Sequence, residues 1–196
     1  MAKKKRIAVF DFDGTITRKD TFVQFAIFAR GWLRTSFTFI FFSPLIILMK
    51  LRLIDNGKVK QLLFSSLFKG MSIEQFRKLG HDFAKQIDTF LNNKTIERLS
   101  EHQNNGDSII VITASLEEWV RPWCEIHDIK TVIATQTEVK NGTMNGRLST
   151  KNCYGPEKVN RLKEVLGDLS DYHITAYGDS YGDRDIMEIA DKVIWV

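Results

Sequence analysis

The stretch Ile7-Ala8-Val9-Phe10-Asp11-Phe12-Asp13-Gly14-Thr15 decides the fold class of this chain. Its first four apolar residues predict a short buried strand, and two carboxylates, one residue apart, follow where that strand ends. Ligands of open α/β sheets bind at the carboxyl ends of the strands, and glycine lets the backbone turn tightly near a ligand. An ordinary Asp-Gly turn would explain Asp13 and Gly14 but not the rest of the stretch. The segment therefore predicts a nucleophile, a proton carrier and a cation site.

Four further apolar runs alternate with helical patterns along the chain. These runs cover residues 108–112, 131–135, 174–177 and 193–196. Such alternation predicts an α/β fold with a doubly wound, Rossmann-like parallel sheet. The long helical stretch between the first and second strands indicates an inserted helical cap. We therefore expect a catalytic core formed by 1–18 and 92–196, and a cap formed by 19–91. Asn141-Gly142 and Asn145-Gly146 each predict a hairpin turn.

Composition narrows the class of protein. The chain has 196 residues, of which 43% are hydrophobic and 27% charged, as is typical of a globular protein. The net charge is +4, and the basic run Lys3–Arg6 accounts for part of it; we expect a solvated tail there. No nucleic-acid-binding signature accompanies this charge. Cys124 and Cys153 lack zinc-site spacing, and no secretory pattern is present, so we expect a reducing, cytoplasmic location.

The segment 35–49 contains fifteen consecutive uncharged residues, many of them aromatic or branched. It is short for a membrane-spanning helix, which needs about 20 apolar residues. One interpretation is a pair of helices buried inside the cap. The other is an interfacial, lipid-facing segment whose flanking cations are Arg30, Arg34, Lys50 and Arg52. The second interpretation predicts peripheral membrane contact through 35–49.

Polar side chains follow three of the predicted strands. They are Asp11 and Asp13, then Thr113 and Ser115, then Asp179 and Asp183. Because the carboxyl ends of parallel strands share one edge of a sheet, we expect these groups to converge. Lys158, near the start of a helix that begins at Pro156, supplies a positive charge to the same crevice. Thr113 and Ser115 have the alternative role of helix caps.

These groups resemble the four motifs of the haloacid dehalogenase-like superfamily, and the resemblance spans nearly the whole chain. Asp11–Thr15 matches the first motif, Thr113 the second, Lys158 the third and Gly178–Asp183 the fourth. The order of the motifs and the helical cap after the first are similar to subfamily IB, the phosphoserine phosphatase-like proteins. The resemblance implies a phosphatase that hydrolyses phosphomonoesters and depends on Mg²⁺.

The resemblance also implies a role for each acidic residue. Asp11 would attack phosphorus and form an aspartyl-phosphate. Asp13 would act as general acid and base, first towards the leaving oxygen and then towards water. Mg²⁺, a hard cation that prefers oxygen ligands, would be held by Asp11, Asp179 and the carbonyl oxygen of Asp13. Asp183 would orient Lys158 and support the metal's water shell.

The substrate-binding residues complete this assignment. Thr113, with Ala114 beside it and Gly14 of the first motif, would bind the phosphoryl oxygens, and Lys158 would neutralise their charge. Thr15 would support the loop. Asp20 lies where phosphoserine phosphatases carry a glutamate for the substrate amine; its alternative role is to cap a helix beginning at Thr21.

The substrate itself stays open at this stage. Phosphoserine phosphatases carry a cap arginine for the substrate carboxylate, whereas Lys60-Gln61-Leu62-Leu63-Phe64 contains none, and lysine does not form the same bidentate contact. Phosphatases of phosphatidylglycerophosphate also resemble this arrangement, with a hydrophobic cap after the first motif. The expected partner is therefore a phosphorylated small molecule or a lipid phosphate. A phosphotransferase and a non-catalytic binding protein are the remaining alternatives, and the sequence does not indicate an oligomeric state.

Overall fold

The computed structural model describes residues 4–196, so Lys3 of the basic run lies outside the described residues. The strands are β1 Lys5–Phe10, β2 Ser108–Leu116, β3 Thr131–Thr135, β4 Thr137–Lys140, β5 Thr143–Leu148, β6 Tyr172–Gly178 and β7 Lys192–Trp195. The helices are α1 Thr21–Arg30, α2 Trp32–Phe41, α3 Ser43–Lys50, α4 Asn56–Phe68, α5 Ile73–Ala84, α6 Asn93–Asn104, α7 Glu117–Ile126, α8 Pro156–Leu166 and α9 Arg184–Glu188.

The central sheet is parallel and has the strand order β3-β2-β1-β6-β7. Because β1 lies between β2 and β6, the chain leaves it towards one side of the sheet and later returns on the other. A crevice at the carboxyl ends of strands forms at such a switch point. The predicted α/β class with a doubly wound parallel sheet is confirmed.

Alternating side chains of β1 bury both faces of the sheet. Ala8 and Phe10 belong to one hydrophobic cluster, and Ile7 and Val9 to another on the opposite face. Phe10 also stacks on Tyr177 of β6, with ring centroids 4.2 Å apart. Both faces of β1 are therefore fixed, and the loop that follows it has a rigid support.

The helices α1 to α5 lie between β1 and β2, as expected for an inserted cap. Aromatic rings join α1, α4 and α5: the ring centroids of Phe68 and Phe76 are 5.2 Å apart, and those of Phe25 and Phe76 are 5.3 Å apart. Phe25 also stacks on Trp119 of α7 at 4.4 Å. Aromatic pairs at such distances add to the energy of area burial, so this cluster joins the cap to the core.

The two connections between the cap and the core run side by side. The amide of Arg18 donates to the carbonyl of Phe90 at 2.9 Å, and the amide of Asn92 donates to the carbonyl of Ile16 at 2.8 Å. These bonds lie next to the predicted cap boundaries, 18/19 and 91/92. The boundaries themselves stay predictions.

One of the two predicted hairpin turns is wrong. Asn141 and Gly142 form the turn between β4 and β5, with φ of 50° and 74°. Asn145-Gly146 instead lies inside β5, where Gly146 has φ of 85° and a Cβ atom would approach Ser65 Oγ to 2.5 Å. The second glycine therefore permits close packing of the hairpin on the cap helix α4, and it makes no turn.

The segment 35–49 forms most of α2 and α3, which meet at an angle of 64°. Thr35 is the one buried residue of these two helices, so the interpretation as a fully buried pair is wrong. Their inner residues pack partly on the cap core, and their outer residues face solvent. Across residues 4–196, no single helix has the length and apolar character to span a bilayer; α2 and α3 meet those criteria only when taken together.

Candidate active site

A cavity of about 450 Å³ lies at the carboxyl edge of the sheet, beneath the cap. Seven predicted site residues line it: Asp11, Asp13, Asp20, Thr113, Ala114, Lys158 and Asp179. Two other predicted residues contact the residues that line the cavity. Gly14 packs against Asp179, and Asp183 accepts a hydrogen bond from Lys158. Thr15 is fully buried in the loop after Asp13. Residues from four separate segments of the sequence thus meet in one crevice.

Asp11 is held directly by Lys158. The Lys158 Nζ atom donates to Asp11 Oδ1 and to Asp183 Oδ1, each at 2.6 Å. All three side chains are almost completely buried. A buried cation shared between two carboxylates restrains both of them, because its loss would leave two buried carboxylates unpaired.

The pKa values in this trio reflect burial and charge together. Burial raises the pKa of Asp11 to about 7, and the negative charges of Asp183 and Asp13 add to the effect while Lys158 opposes it. Burial alone would lower the pKa of Lys158, but the charges of Asp11 and Asp183 outweigh it and raise that pKa above its ordinary value. Lys158 is therefore a permanent cation, whereas the protonation of Asp11 responds to any further charge in the crevice.

Asp183 connects Lys158 to the loop after β6. Its Oδ2 atom accepts hydrogen bonds from the Ser180 amide at 3.0 Å, the Ser180 hydroxyl at 2.9 Å and the Asp179 amide at 3.3 Å. Gly178 is needed for this arrangement, since a Cβ there would lie 2.6 Å from the Cβ of Asp183. One carboxylate thus aligns the lysine and the backbone that carries Asp179.

A chain of hydrogen bonds positions Asp13. Trp119 Nε1 donates to Thr21 Oγ1 at 2.9 Å, and Thr21 Oγ1 lies 3.0 Å from Ser115 Oγ, which in turn donates to Asp13 Oδ2. Because an indole N–H only donates, the Thr21 hydrogen is directed to Ser115 and the Ser115 hydrogen to Asp13. The Thr21 amide donates to Asp13 Oδ1 at 2.9 Å. Both carboxylate oxygens of Asp13 are thereby held.

Burial raises the pKa of Asp13 to about 6, and the negative charge of Asp20 adds to the shift. The hydrogen bonds from Ser115 and Thr21 act in the opposite direction, because they stabilise the carboxylate. The resulting pKa is nearer to neutrality than that of an ordinary aspartate, as a group that both gives and takes a proton requires.

The second predicted strand is longer than expected and changes its pairing at the site. It extends to Leu116, and its register with β3 shifts between Ile112 and Leu116. Within that irregularity the Thr113 hydroxyl accepts a bond from the Ser115 amide at 3.0 Å. Within the described chain, α7 begins at Glu117 without a side-chain cap, so the alternative role of Thr113 and Ser115 as helix caps is wrong.

Three carboxylates form a cluster suited to a cation. One oxygen each of Asp11, Asp179 and Asp183 lies within 4.8 Å of the others. Asp11 and Asp179 were predicted ligands, whereas the side chain of Asp13 bonds to Ser115. That Asp13 contributes its carbonyl oxygen to the metal stays a prediction. Burial and the charge of Asp183 raise the pKa of Asp179. The three carboxylates share one lysine, so the negative charge of the cluster exceeds the positive charge and favours a bound cation.

Gly14 and Thr15 shape the loop beside the acidic cluster. Gly14 has φ of +81°, and a Cβ at this position would come within 2.1 Å of Asp179 Oδ2. Only glycine allows the backbone to approach that carboxylate so closely. Thr15 Oγ1 is buried and makes no well-formed hydrogen bond among residues 4–196, although it lies near enough to Asp179 to oppose the rise of that residue's pKa. Such a buried orphan hydroxyl is costly unless a further group satisfies it.

Asp20 both caps a helix and lines the cavity, the two roles considered for it in the sequence. Its side chain accepts a hydrogen bond from the Val23 amide at 3.0 Å and so caps α1. It also lines the cavity, where its charge acts on Asp13 and Lys60. The helix cap therefore does not remove the carboxylate from the cavity wall.

Lys60 is a cavity cation that the sequence analysis did not assign to the site. It comes from α4 of the cap, and its Nζ atom donates to the carbonyl of Ala114 and lies 5.7 Å from the centre of the Phe22 ring. Burial lowers its pKa, although the charges of Asp13 and Asp20 act against that shift. The sequence analysis set the lysine aside because it does not form the bidentate contact of an arginine, and it did not anticipate that Lys60 lines the cavity.

Comparison with known proteins assigns the chain to a family. The haloacid dehalogenase-like hydrolase family matches residues 8–188, and the chain belongs to that family. It is 30% identical to the protein CicA of Caulobacter vibrioides over 195 residues, which cover 98% of this chain and 86% of CicA. The predicted family and the prediction of a hydrolytic enzyme are thereby confirmed.

Two solved structures share the fold. A protein with unknown function from Bordetella pertussis has a TM-score of 0.85 at 21% identity, covering 98% of this chain and 90% of its own. A substrate-bound phosphoserine phosphatase has a TM-score of 0.71 at 20% identity, covering 98% of this chain and 86% of its own. At these identities the likeness is one of fold.

Proposed function

We propose that this protein is a Mg²⁺-dependent phosphomonoester hydrolase that works through a phosphorylated Asp11. The observation that carries the proposal is the pairing of Asp11 with a permanently charged Lys158, beside a three-carboxylate cluster and a separately held Asp13. A phosphoryl group requires an aligned nucleophile and charge neutralisation, and this crevice supplies both. A site that only bound an anion would have no use for the second acid.

The residues present fit a magnesium ion. The cluster of Asp11, Asp179 and Asp183 offers only hard oxygen donors, and the nearby loop contains the orphan hydroxyl of Thr15. We assign Asp11, Asp179 and the Asp13 carbonyl as its ligands, and Asp183 as the residue that orients Lys158 and the ligand shell. When bound, Mg²⁺ would offset the repulsion between a carboxylate and a phosphate dianion.

In the first half of the reaction a carboxylate oxygen of Asp11 attacks phosphorus while the bond to the ester oxygen breaks. Asp13 gives its proton to that leaving oxygen. Lys158 neutralises the charge of the phosphoryl oxygens, and the hydroxyl of Thr113 donates a hydrogen bond to them. Ala114 and Gly14 lie at the same edge. The product alcohol leaves, and Asp11 carries the phosphoryl group.

In the second half Asp13, now a carboxylate, removes a proton from water. That water attacks phosphorus, the bond to Asp11 breaks, and inorganic phosphate leaves. The hydrogen-bond chain from Trp119 through Thr21 and Ser115 keeps Asp13 in place during both proton transfers. One acid thus serves two steps without moving to a new partner.

Replacing Asp13 with asparagine tests this mechanism. With p-nitrophenyl phosphate, whose leaving group needs no proton, we expect phosphorylation to continue and hydrolysis to slow by roughly 10²-fold or more. Mass spectrometry after an acid quench should then find the phosphoryl group on Asp11. Phosphate on another residue, or hydrolysis at the parental rate, would contradict the assignment.

Addition of EDTA should abolish turnover of the parent protein.

Replacing Ser115 with alanine tests the positioning of Asp13. The lost hydrogen bond stabilised the carboxylate, so its removal should raise the pKa of Asp13 further above about 6. Since Asp13 must be protonated to act as an acid, the alkaline limb of kcat/KM for an alkyl phosphate should move to higher pH at saturating Mg²⁺. Steady-state pH profiles measure this, and an unmoved or downward-shifted limb would contradict the role of Ser115.

Two observations bear on the substrate. Lys60 and Asp20 place one positive and one negative group on the cap side of the cavity, which suits a zwitterionic phosphomonoester such as phosphoserine. Phe39, Ile46 and Met49 of α2 and α3 form an apolar part of the same wall, which suits a lipid phosphate. A panel of phosphoserine, small sugar phosphates and phosphatidylglycerophosphate would distinguish these classes. Transfer of phosphate to an added alcohol in place of water would indicate a phosphotransferase.

A further inference from the structure

The cap presents an unusually apolar surface to solvent. We call it the apolar face, and it consists of Trp32, Leu33, Phe37, Ile40, Phe41, Ile47, Leu51 and Leu53. Phe37 and Phe41 are 70% and 78% exposed. These eight side chains come from α2, α3 and the turn that follows α3. Contiguous exposed apolar side chains of this kind mark surfaces that contact another apolar phase or partner.

Positive charge accompanies the apolar face along the sequence, and its segment carries no negative charge. Residues 21–54 contain no aspartate or glutamate but include Arg30, Arg34, Lys50 and Arg52. Arg34 and Lys50 are exposed, and Arg52 is exposed while stacking on Tyr181 at 3.7 Å. Arg30 differs, since its Nε donates to the carbonyl of Leu67 at 2.7 Å. The segment that carries the apolar face thus combines exposed apolar side chains with exposed cations.

We propose that the apolar face docks on a membrane surface containing anionic lipids. The chemistry of the face matches both parts of such a surface, since apolar side chains enter the acyl boundary and arginine and lysine meet anionic headgroups. The helices α2 and α3 have 10 and 8 residues and meet at 64°, so they suit lying in the interface better than crossing it. Attachment of this kind is peripheral and reversible.

A second copy of the chain suits this face less well. In a two-fold dimer the same patch meets itself, so its exposed cations would be brought near their own copies, and residues 21–54 supply no carboxylate to pair with them. The next carboxylate along the chain, Asp55, already accepts a hydrogen bond from the Lys58 amide. An anionic lipid surface supplies the missing charge.

Docking would place the substrate cavity close to the lipid surface. The same two helices that carry the apolar face turn Phe39, Ile46 and Met49 towards the cavity. If the proposed phosphatase function holds, a phosphomonoester on an acyl chain would reach Asp11 along this wall. That consequence rests on the proposed function; the docking itself does not.

Co-sedimentation with vesicles tests the docking without reference to catalysis. The full chain should sediment with vesicles of mixed phosphatidylglycerol and phosphatidylcholine, and less with phosphatidylcholine alone. The triple variant Phe37→Ser/Ile40→Ser/Phe41→Ser should lower the partition coefficient at least about tenfold, since three apolar side chains no longer enter the lipid. Arg34→Glu should weaken binding to the anionic vesicles selectively.

The matched control is Ile126→Ser/Val165→Ser, which removes two exposed apolar side chains from α7 and α8. It should bind vesicles as the parent does, and thermal unfolding should show that all variants are folded. No sedimentation of the parent, or equal sedimentation of the triple variant, would overturn the proposal. Lipid-free self-association that the triple variant abolishes would also overturn it and assign the face to a second copy.

Discussion

Replacing Asp11 with asparagine is expected to lower kcat/KM for p-nitrophenyl phosphate by roughly 10³-fold or more. The reason is that asparagine retains the shape of the side chain but removes the nucleophilic oxygen on which the proposed intermediate forms. The same change removes a carboxylate from the acidic cluster, so the concentration of Mg²⁺ needed for any residual activity should rise. Initial rates across a Mg²⁺ titration measure both effects.

The control for this variant is Asp171→Asn, which removes an exposed carboxylate directly before β6, at the opposite end of that strand from Asp179. It should leave the rate unchanged. Thermal unfolding checks that the variant is folded. We expect no severe loss of stability, because Asp11→Asn removes one negative charge from a crowded set of buried charges. Activity in Asp11→Asn within a few-fold of the parent would exclude Asp11 as the nucleophile, even though the fold is unchanged.

The sequence predicted those parts of the site that local patterns encode. An apolar run followed by Asp11 and Asp13 identifies a strand end, and the fourth motif does the same for Asp179 and Asp183. Parallel pairing then dictates that these ends converge, which is why the contacts of Asp11, Lys158 and Asp183 agree with the expected arrangement. The roles of these residues in catalysis stay predictions.

The sequence did not predict the groups that tertiary packing brings to the site. Thr21 and Trp119 are separated by 98 positions and meet only because α1 packs beside α7. Lys60 reaches Ala114 because the cap folds over the sheet. Neither contact has a local signature, since a threonine at a helix start and a lysine in a helix are ordinary surface residues in most proteins.

The segment 35–49 shows a different limit of sequence patterns. Its uncharged length is equally compatible with helices that are buried and helices that are exposed, and the pattern alone does not decide between them. The packing in the folded cap decides it: Phe39 and Ile46 contact the cap core, whereas Phe37, Ile40 and Ile47 are exposed to solvent. The exposed side is what makes membrane docking a testable property of the cap.

Replacing Lys158 with methionine is expected to have the largest combined effect on stability and activity. It leaves Asp11 and Asp183 buried together without their shared cation, and breaking a buried ion pair by removing one partner costs about 3–5 kcal/mol of the free energy of unfolding. Activity should fall by roughly 10²-fold or more, because a preorganised positive charge beside the transferred phosphoryl group is lost. Urea unfolding in EDTA and initial rates with Mg²⁺ measure the two effects separately.

The double variant Lys158→Met/Asp183→Asn distinguishes electrostatic repulsion from lost catalysis. Neutralising Asp183 removes one of the two uncompensated charges, so the free energy of unfolding should increase again. The recovery should be only partial, because an asparagine amide does not accept the hydrogen bonds from Ser180 as well as the Asp183 carboxylate does. Activity should not recover, since the cation that faces the substrate is still missing. Recovery of both properties would mean that Lys158 serves the fold alone. Recovery of neither stability nor activity would mean that packing around the lysine stem, and not its charge, holds this part of the core together.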